Sequence, residues 1–327
     1  MLYINRDQVA QLLNFDDCVK LAEEGLAIKG RGEANDVPRI HLHTNSTNMM
    51  FLPSMIAAKD LVGMRIYNVG GDIHLMYLVW DGRDGRLLAM MDAMWIRDIR
   101  TGSVGAVSAK YLARPNSKTI GVLGSGRQSR SGLIAHTKVF KLDEAKVFSR
   151  SKEHREAFAR EMEPLAGIPV RPVDSLEEAI HGVDIITTGT AANAPSDPKV
   201  LKGAWLEPGQ HISCIGGRAE LEDDVVTRAD RVIIDSKAQF PYEATDITAQ
   251  VNKGLIGWDD IDELHDVVAG NVPGRKNDDE IILVKTVGTP LQDLLPAAHV
   301  YQKAVEKGIG QELGDLFPPA GGWFGEF

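Results

Sequence analysis

Between residues 121 and 129 the chain reads Gly-Val-Leu-Gly-Ser-Gly-Arg-Gln-Ser, and here its residue types point most directly to chemistry. From Gly124 the spacing is G-x-G-x-x-S, one residue away from the dinucleotide-binding fingerprint. Gly124 permits a tight turn and Gly126 lets a pyrophosphate approach the backbone. A helix starting near Gln128, just after Ser125 and Arg127, presents free N–H groups and its positive dipole end to phosphates. Ser129, at the third glycine position, is small enough for close helix packing and can donate a hydrogen bond. Glycine pairs occur in many turns. This one is read as a dinucleotide site because an apolar run (Thr119 to Leu123) precedes it, a helical stretch follows, and a second apolar run (Ala145 to Phe148) comes next.

The end of that second run selects the cofactor. A site for NAD usually carries Asp or Glu about 20 residues beyond the glycines, to hold the ribose 2′-hydroxyl. Here the sequence is Val147-Phe148-Ser149-Arg150-Ser151-Lys152, without a carboxylate. Ser149, Arg150, Ser151 and Lys152 suit a 2′-phosphate, so NADP is expected in preference to NAD. Arg150 and Lys152 as merely solvated residues is the weaker reading, since cations are disfavoured at a helix start without an anion there. His41 and His43 stand at i and i+2 of a strand, a spacing compatible with metal ligation. With no Cys or third His nearby, they are read as core or surface histidines, and no metal is expected. Glu177-Glu178 and Glu222-Asp223-Asp224 read as acids in the first turns of helices.

These residues need elements to hold them. Val19, Ala22 and Leu26 mark one face of a helix from Asp16 to Lys29, ending at Gly30. From there to about Trp95 the pattern is strand-like. Ile40 to Thr44, Met49 to Leu52 and two runs within Ile66 to Trp80 are parted at Gly70-Gly71, and a hairpin tip at Asp81 to Gly85 precedes Leu87 to Met91. An α+β region with a mostly antiparallel sheet follows from this pattern. After Pro115, apolar runs at Thr119, Ala145, Asp184, His211 and Arg231 leave room for helices such as Lys152 to Glu163, the texture of βαβ units. The fold class expected is α/β, a Rossmann-type doubly wound parallel sheet inserted in an α+β region. Near the end, Thr289 and Pro290 suit an N-cap and N1. Leu291, Leu294, Leu295, Ala298 and Val305 mark a helix face that stops at Gly308, before an irregular tail from Pro318 to Phe327.

Composition narrows the function. In 327 residues there are 36 basic and 46 acidic side chains, a formal charge of −10, the wrong sign for a partner of nucleic acid or anionic membrane. No apolar stretch approaches the ~18 residues of a membrane span, and Asn5, Arg6 and Asp7 stand where a secretion signal would be apolar, so a cytoplasmic protein is expected. Cys18 and Cys214 are far apart and suggest neither a disulfide framework nor a zinc site.

Together, Val37-Pro38-Arg39, Met50-Phe51-Leu52-Pro53, Gly85 to Ala89, Ile99-Arg100-Thr101, Tyr111 to Pro115, the glycine turn, Glu220-Leu221, Lys285-Thr286-Val287-Gly288 and Gln292-Asp293 resemble the ornithine cyclodeaminase/mu-crystallin family. The resemblance implies a homodimer of two-domain chains. Residues 1–116 with 290–327 would form a substrate and dimerisation domain around an inserted Rossmann domain, 117–289. It implies a small amino or imino acid substrate whose carboxylate meets Arg39 and Arg100. Thr101, Thr188, Thr190, Ile215, Gly216, Val287 and Gly288 are implied to join the glycine turn around the cofactor. Tyr67, Asp72 and His74 lie near the family's substrate pocket as alternative proton donors.

Two departures bear on mechanism. Arg65 stands where the family usually has a lysine, and arginine is a poor proton-transfer group. The loop Ile215-Gly216-Gly217-Arg218-Ala219-Glu220-Leu221 is shorter than in cyclodeaminases and lacks their aspartate. Glu220, read as sitting at a helix start, and Asp223, in its first turn, are poor substitutes. An NADP-dependent imine reductase or amino-acid dehydrogenase is therefore expected. A cyclodeaminase-like lyase and a crystallin-like nucleotide-binding protein are the alternatives.

Overall fold

The computed structural model describes residues 1–190, 198–216, 219–243, 245–314 and 316–317. Its fold is mixed α/β around two eight-stranded sheets. The first is built from β1 (Leu2–Ile4), β2 (Ala34–Asp36), β3 (Ile40–His43), β4 (Asn48–Ile56), β5 (Leu61–Val69), β6 (Leu75–Asp81) and β7 (Leu87–Asp92). The second holds β8 (Thr119–Leu123), β9 (Glu144–Phe148), β10 (Val170–Pro172), β11 (Ile185–Thr188), β12 (His211–Ile215), β13 (Arg231–Ile234), β14 (Ile261–Glu263) and β15 (Ile282–Thr286). A last short strand, β16 (Gln311–Glu312), returns to the first sheet beside β1.

In the first sheet the order is β16-β1-β7-β6-β5-β4-β2, with β3 also on β4, and every pairing except β1 with β7 is antiparallel. The β6–β7 hairpin turns at the expected Asp-Gly pairs, with Gly85 at φ +74°. Its core face packs Ile56, Tyr77, Val79, Ala89 and Met91 against Leu291, Leu294, Leu295, Ala297 and Val300 of the helix Leu291–Lys307. That helix begins one residue later than predicted, and no side chain caps it. Leu291, Leu294, Leu295 and Ala298 are buried as expected, but Val305 is 55% exposed, because the buried face of the last turns runs through Val300 and Ala304 and leaves Val305 off it. The opposite face of the sheet is apolar too. Cross-strand register aligns Ile40 with Phe51 and Ile66, then Met76, and aligns Pro53 with Met64, Leu78 and Met90. Ile40 and Leu42 on this face are exposed, and most of its other side chains are only half-buried.

All strands of the second sheet run parallel, in the order β10-β9-β8-β11-β12-β15-β13-β14. Strand order reverses between β8 and β11, so the carboxyl ends of these two strands flank a topological switch point, the usual crevice for a ligand in such sheets. The helix Phe15–Gly30 forms where the apolar face predicted it, capped by Asn14. The helix Met94–Leu112 follows β7 directly and leads into β8, with 14 of its 19 residues buried. No helix among the described residues is long and apolar enough to cross a membrane.

Beneath that helix lie two fully buried histidines. His136 Nδ1 is 2.7 Å from the Gly132 carbonyl and its Nε2 has no partner. His211 Nε2 meets Ser108 Oγ at 3.2 Å and its Nδ1 has none. Burial pushes His136 down to about 4 from 6.5, and drives His211 well down too, helped by His136 and Arg275. Between pH 6.5 and about 4 the unfolded chain therefore binds more protons than the folded one, so stability falls as pH drops through that window. The expected outcome in thermal unfolding is a midpoint that declines from pH 7 to pH 5, with a shallower decline in His136→Gln. A parent midpoint that stays level over this range would contradict the buried neutral pair.

Candidate functional site

Strand parity and helical spacing converge on one cavity of about 1150 Å³ at the switch point. On β5, alternation puts Arg65 and Tyr67 on the core face, and on the helix Met94–Leu112 the spacing i, i+3, i+4, i+7 presents Arg97, Arg100, Thr101 and Val104. Seven arginines, Lys199 and His154 line the cavity, and no Asp or Glu does among the described residues. The wall is that of a site for anions.

At one end Arg65 and Arg100 meet a single buried carboxylate. Arg65 Nη1 donates to Asp293 Oδ2 at 2.7 Å, Arg100 Nε donates to Asp293 Oδ1 at 2.9 Å, and all three side chains are at most 6% exposed. Burial pulls Arg100 below the usual guanidinium range and Asp293 opposes that, while Arg65 and Arg39 add to it. Arg100 Nη1 also donates to Gln292 Oε1 at 2.9 Å, and Gln292 Nε2 donates to Asp235 at 3.1 Å. Asp235, whose pKa burial raises against its hydrogen bonds, accepts from the N–H groups of Val287 and Gly288. Gly288 is required where it stands: φ is +83° and a Cβ would lie 2.8 Å from Arg100 Nη1. Arg39 also lines the cavity, donating to Glu243 at 2.8 Å and to the carbonyls of Val287 and Gly288. Among the described residues, the buried Nε atoms of Arg39 and Arg65 have no hydrogen-bond partner.

At the centre is the glycine turn. Gly124 has φ +111° and abuts the Gly189 carbonyl, whereas a Cβ on Gly126 would meet no atom of the described residues closer than the Gly189 carbonyl at 3.7 Å. Gly126 caps the helix Arg127–Thr137 without any side-chain bond. Ser125, Gly126, Arg127 and Gln128 line the cavity, as do Ser149, Arg150 and Ser151 at its other end. Ser151 also caps the helix Lys152–Ala166, accepting from the His154 N–H at 3.1 Å.

Of the remaining residues expected at the cofactor, Thr101, Thr190, Ile215, Gly216, Val287 and Gly288 are on the wall. Three are not. Ser129 is buried behind the turn, its hydroxyl donating to the Gly189 carbonyl, so it packs and does not line. Thr188 is fully buried and donates to Glu220 at 2.7 Å, because the last residue of β11 still points into the sheet's core layer. Lys152 turns toward Glu156. Of the three proton-donor candidates Tyr67 lines the cavity, while Asp72 and His74 are exposed in the β5–β6 turn that Asn68 holds. His41 and His43 stack at 6.2 Å, and His41 Nε2 lies 2.7 Å from Glu243.

Glu220 is not at a helix start. It lies before the helix Asp223–Arg228, fully buried between Thr188, Thr190 and Lys285. Asp223 pairs with Lys253 at 2.6 Å. Gly217 and Arg218 lie outside the described residues, as does the tail from Pro318. Sequence reasoning gave no role to Asp293, Gln292, Asp235 and Glu243. The signal available was Gln292-Asp293, a polar pair inside the apolar face of a helix.

A family model described as ornithine cyclodeaminase/mu-crystallin matches residues 2–308. The Delta(1)-pyrroline-2-carboxylate reductase of Bacillus cereus (strain ZK / E33L) is 28% identical over 96% of this chain and 99% of that protein. The alanine dehydrogenase of Archaeoglobus fulgidus is 29% identical over 95% of this chain and 98% of that one. Among solved structures, the Thermococcus litoralis Delta(1)-pyrroline-2-carboxylate reductase in complex with NADH and L-proline gives a TM-score of 0.90 at 29% identity, covering 96% of this chain and 100% of that chain.

Removing the shared carboxylate would leave two buried guanidiniums facing each other. In urea unfolding Asp293→Leu is expected to lose roughly 3–5 kcal/mol, the usual cost of breaking a buried ion pair by deleting one partner. An unchanged midpoint would contradict the arrangement.

Proposed function

The chain belongs to the ornithine cyclodeaminase/mu-crystallin family, and from that premise we propose that it is a nicotinamide-dependent oxidoreductase acting on C–N bonds. Its reaction is reduction of a small imino acid or oxidation of the corresponding amino acid. The observation that carries this reading is one cavity that joins a glycine cradle at its centre to an arginine cluster at one end. A dinucleotide fits the residues present. The room left where Gly126 lacks a Cβ, the uncapped helix N-terminus behind it and the cation-lined wall all suit a pyrophosphate. When bound, the nicotinamide supplies or accepts the hydride.

The protein's own residues then bind, orient and protonate. Arg100 and Arg65 together carry one more positive charge than Asp293 neutralises, and the partnerless Nε of Arg65 and of Arg39 offer donors, so a substrate carboxylate would complete this end. Tyr67, on the same face of β5 as Arg65, is the proton donor we favour. Amino-acid cyclisation with loss of ammonia would need a further carboxylate to orient a side-chain amine. Glu220 is engaged behind the wall and Asp223 at the surface, which favours reductase over lyase chemistry.

We assign the preference to NADP, because Ser149 and Arg150 directly follow β9, where an NAD site would place an acid, although the Thermococcus litoralis relative was solved with NADH. The two-sided apolar first sheet supports a homodimer through its outer face. We divide the chain into 1–116 with 290–327 and 117–289, a reading supported by the separate sheets that the described strands of each part build. Buried, unpaired Cys18 and Cys214 suit a reducing compartment such as the cytoplasm.

The test is a panel of cyclic and linear imino acids followed by nicotinamide absorbance, with product analysis. One imino acid should consume cofactor stoichiometrically, and Arg150→Ala should weaken NADPH far more than NADH, by the ~1.5–3 kcal/mol of one charge-assisted bond. Turnover of ornithine to proline and ammonia without net cofactor change would overturn the reductase assignment. Equal losses for the two nucleotides would overturn the role of Arg150.

A further inference from the structure

The residues used so far leave unexplained a charged cluster buried directly behind the cavity wall. Lys285 Nζ lies 3.0 Å from Asp246 Oδ2 and 3.6 Å from Glu220 Oε2, and the three side chains are at most 1% exposed. Glu220 accepts from the Thr188 hydroxyl at 2.7 Å, from the Thr190 N–H at 3.1 Å and from the Thr190 hydroxyl. Asp246 Oδ2 also accepts from the Glu220 N–H at 3.2 Å. Burial opposes the Lys285 ammonium, but Cys214, Asp246 and Glu220 more than offset it and hold its pKa above the ordinary range.

The cluster's place in the fold gives it a direction. Thr190, Ile215 and Thr286 line the cavity, and each is bonded to the cluster or adjoins it in sequence, since Lys285 precedes Thr286 and Cys214, within reach of Lys285, precedes Ile215; Gly216, also on the wall, donates its N–H to the Thr286 carbonyl. These are the carboxyl ends of β11, β12 and β15, across the glycine turn from Arg150 just after β9. With Gly126 holding a pyrophosphate and Arg150 an adenosine ribose, this wall would be the one left to hold the nicotinamide. Among the described residues of the cluster, two carboxylates face one ammonium, an excess of negative charge behind a wall otherwise rich in cations.

We propose that Glu220 and Asp246, clamped by Lys285, bias the bound cofactor toward its oxidised form and so strengthen it as a hydride donor. This rests on the reading of the chain as a nicotinamide-dependent enzyme. Reduction of the imine breaks one C–H bond of the reduced ring and forms one at the imine carbon. Both electrons move with the hydride, the imine nitrogen takes a proton, and the ring is left cationic. A buried excess of carboxylate charge beside the ring stabilises the cationic form and is indifferent to the neutral one. A cluster that only braced the loops would support both forms equally.

Isothermal titration with NADP+ and NADPH, without substrate, separates these roles. Glu220→Gln and Asp246→Asn should each bind NADP+ about tenfold more weakly, equivalent to about 1.4 kcal/mol, while NADPH affinity stays within twofold of the parent. Equal losses for both nucleotides, or no loss for either, would overturn the proposal. If neither variant folds, the parent decides: it must bind NADP+ at least as tightly as NADPH, and clearly tighter NADPH overturns the proposal. A parent that binds neither nucleotide would instead overturn the underlying cofactor reading.

Discussion

Two guanidiniums buried on one carboxylate are the constraint around which the site is organised. Arg65 comes from a strand and Arg100 from the helix after β7, and both meet Asp293 on the helix that begins after Gly288. A buried arginine pair with a single counter-charge is costly to assemble unless its geometry is fixed and a further anion completes it. The surroundings supply the fixed geometry. Gln292 holds Arg100, Asp235 holds Gln292 and the Val287–Gly288 backbone, and Gly288 lacks the Cβ that would collide with Arg100. Arg39 closes the ring by donating to the carbonyls of the same two residues. The remaining anion is the one that the proposed substrate brings with its carboxylate.

The parallel sheet supplies the other half of the cavity. Its strand order reverses at β8 and β11, and the glycine turn, the end of β9 and the ends of β11, β12 and β15 open on the same side. Since the helix Met94–Leu112 packs against both sheets and carries Arg100 and Thr101 on one face, the arginine end and the glycine end are rigidly related. That relation is what hydride transfer needs, because a small substrate must be held at one depth and in one orientation.

Much of this was legible in the sequence where local rules suffice. The glycine turn, the Asp-Gly hairpin, the alternation of βαβ units and the helix stopped at Gly308 each follow from a turn residue or a hydrophobic period. What local rules do not supply is the direction of a side chain at an element's edge. Thr188 and Thr190 are two residues apart at the end of β11, yet only Thr190 reaches the cavity, and Ser129 faces the Gly189 carbonyl while Gln128 faces the ligand space. Glu220 read as a helix acid because its partners Lys285 and Asp246 lie 65 and 26 residues away. The apolar outer face of the first sheet was present in the strands as near-continuous hydrophobic runs, whose meaning emerges only once register aligns Pro53, Met64, Leu78 and Met90.

Recognition of a carboxylate by the arginine end is the central claim. The direct measurement is kcat/KM, with NADPH, for a cyclic imine carrying a carboxylate on its imine carbon against the same ring without it. Loss of a charge-assisted, two-point anchor should lower kcat/KM by at least about a hundredfold, each such bond being worth ~1.5–3 kcal/mol. Comparable kcat/KM for the two imines would contradict it.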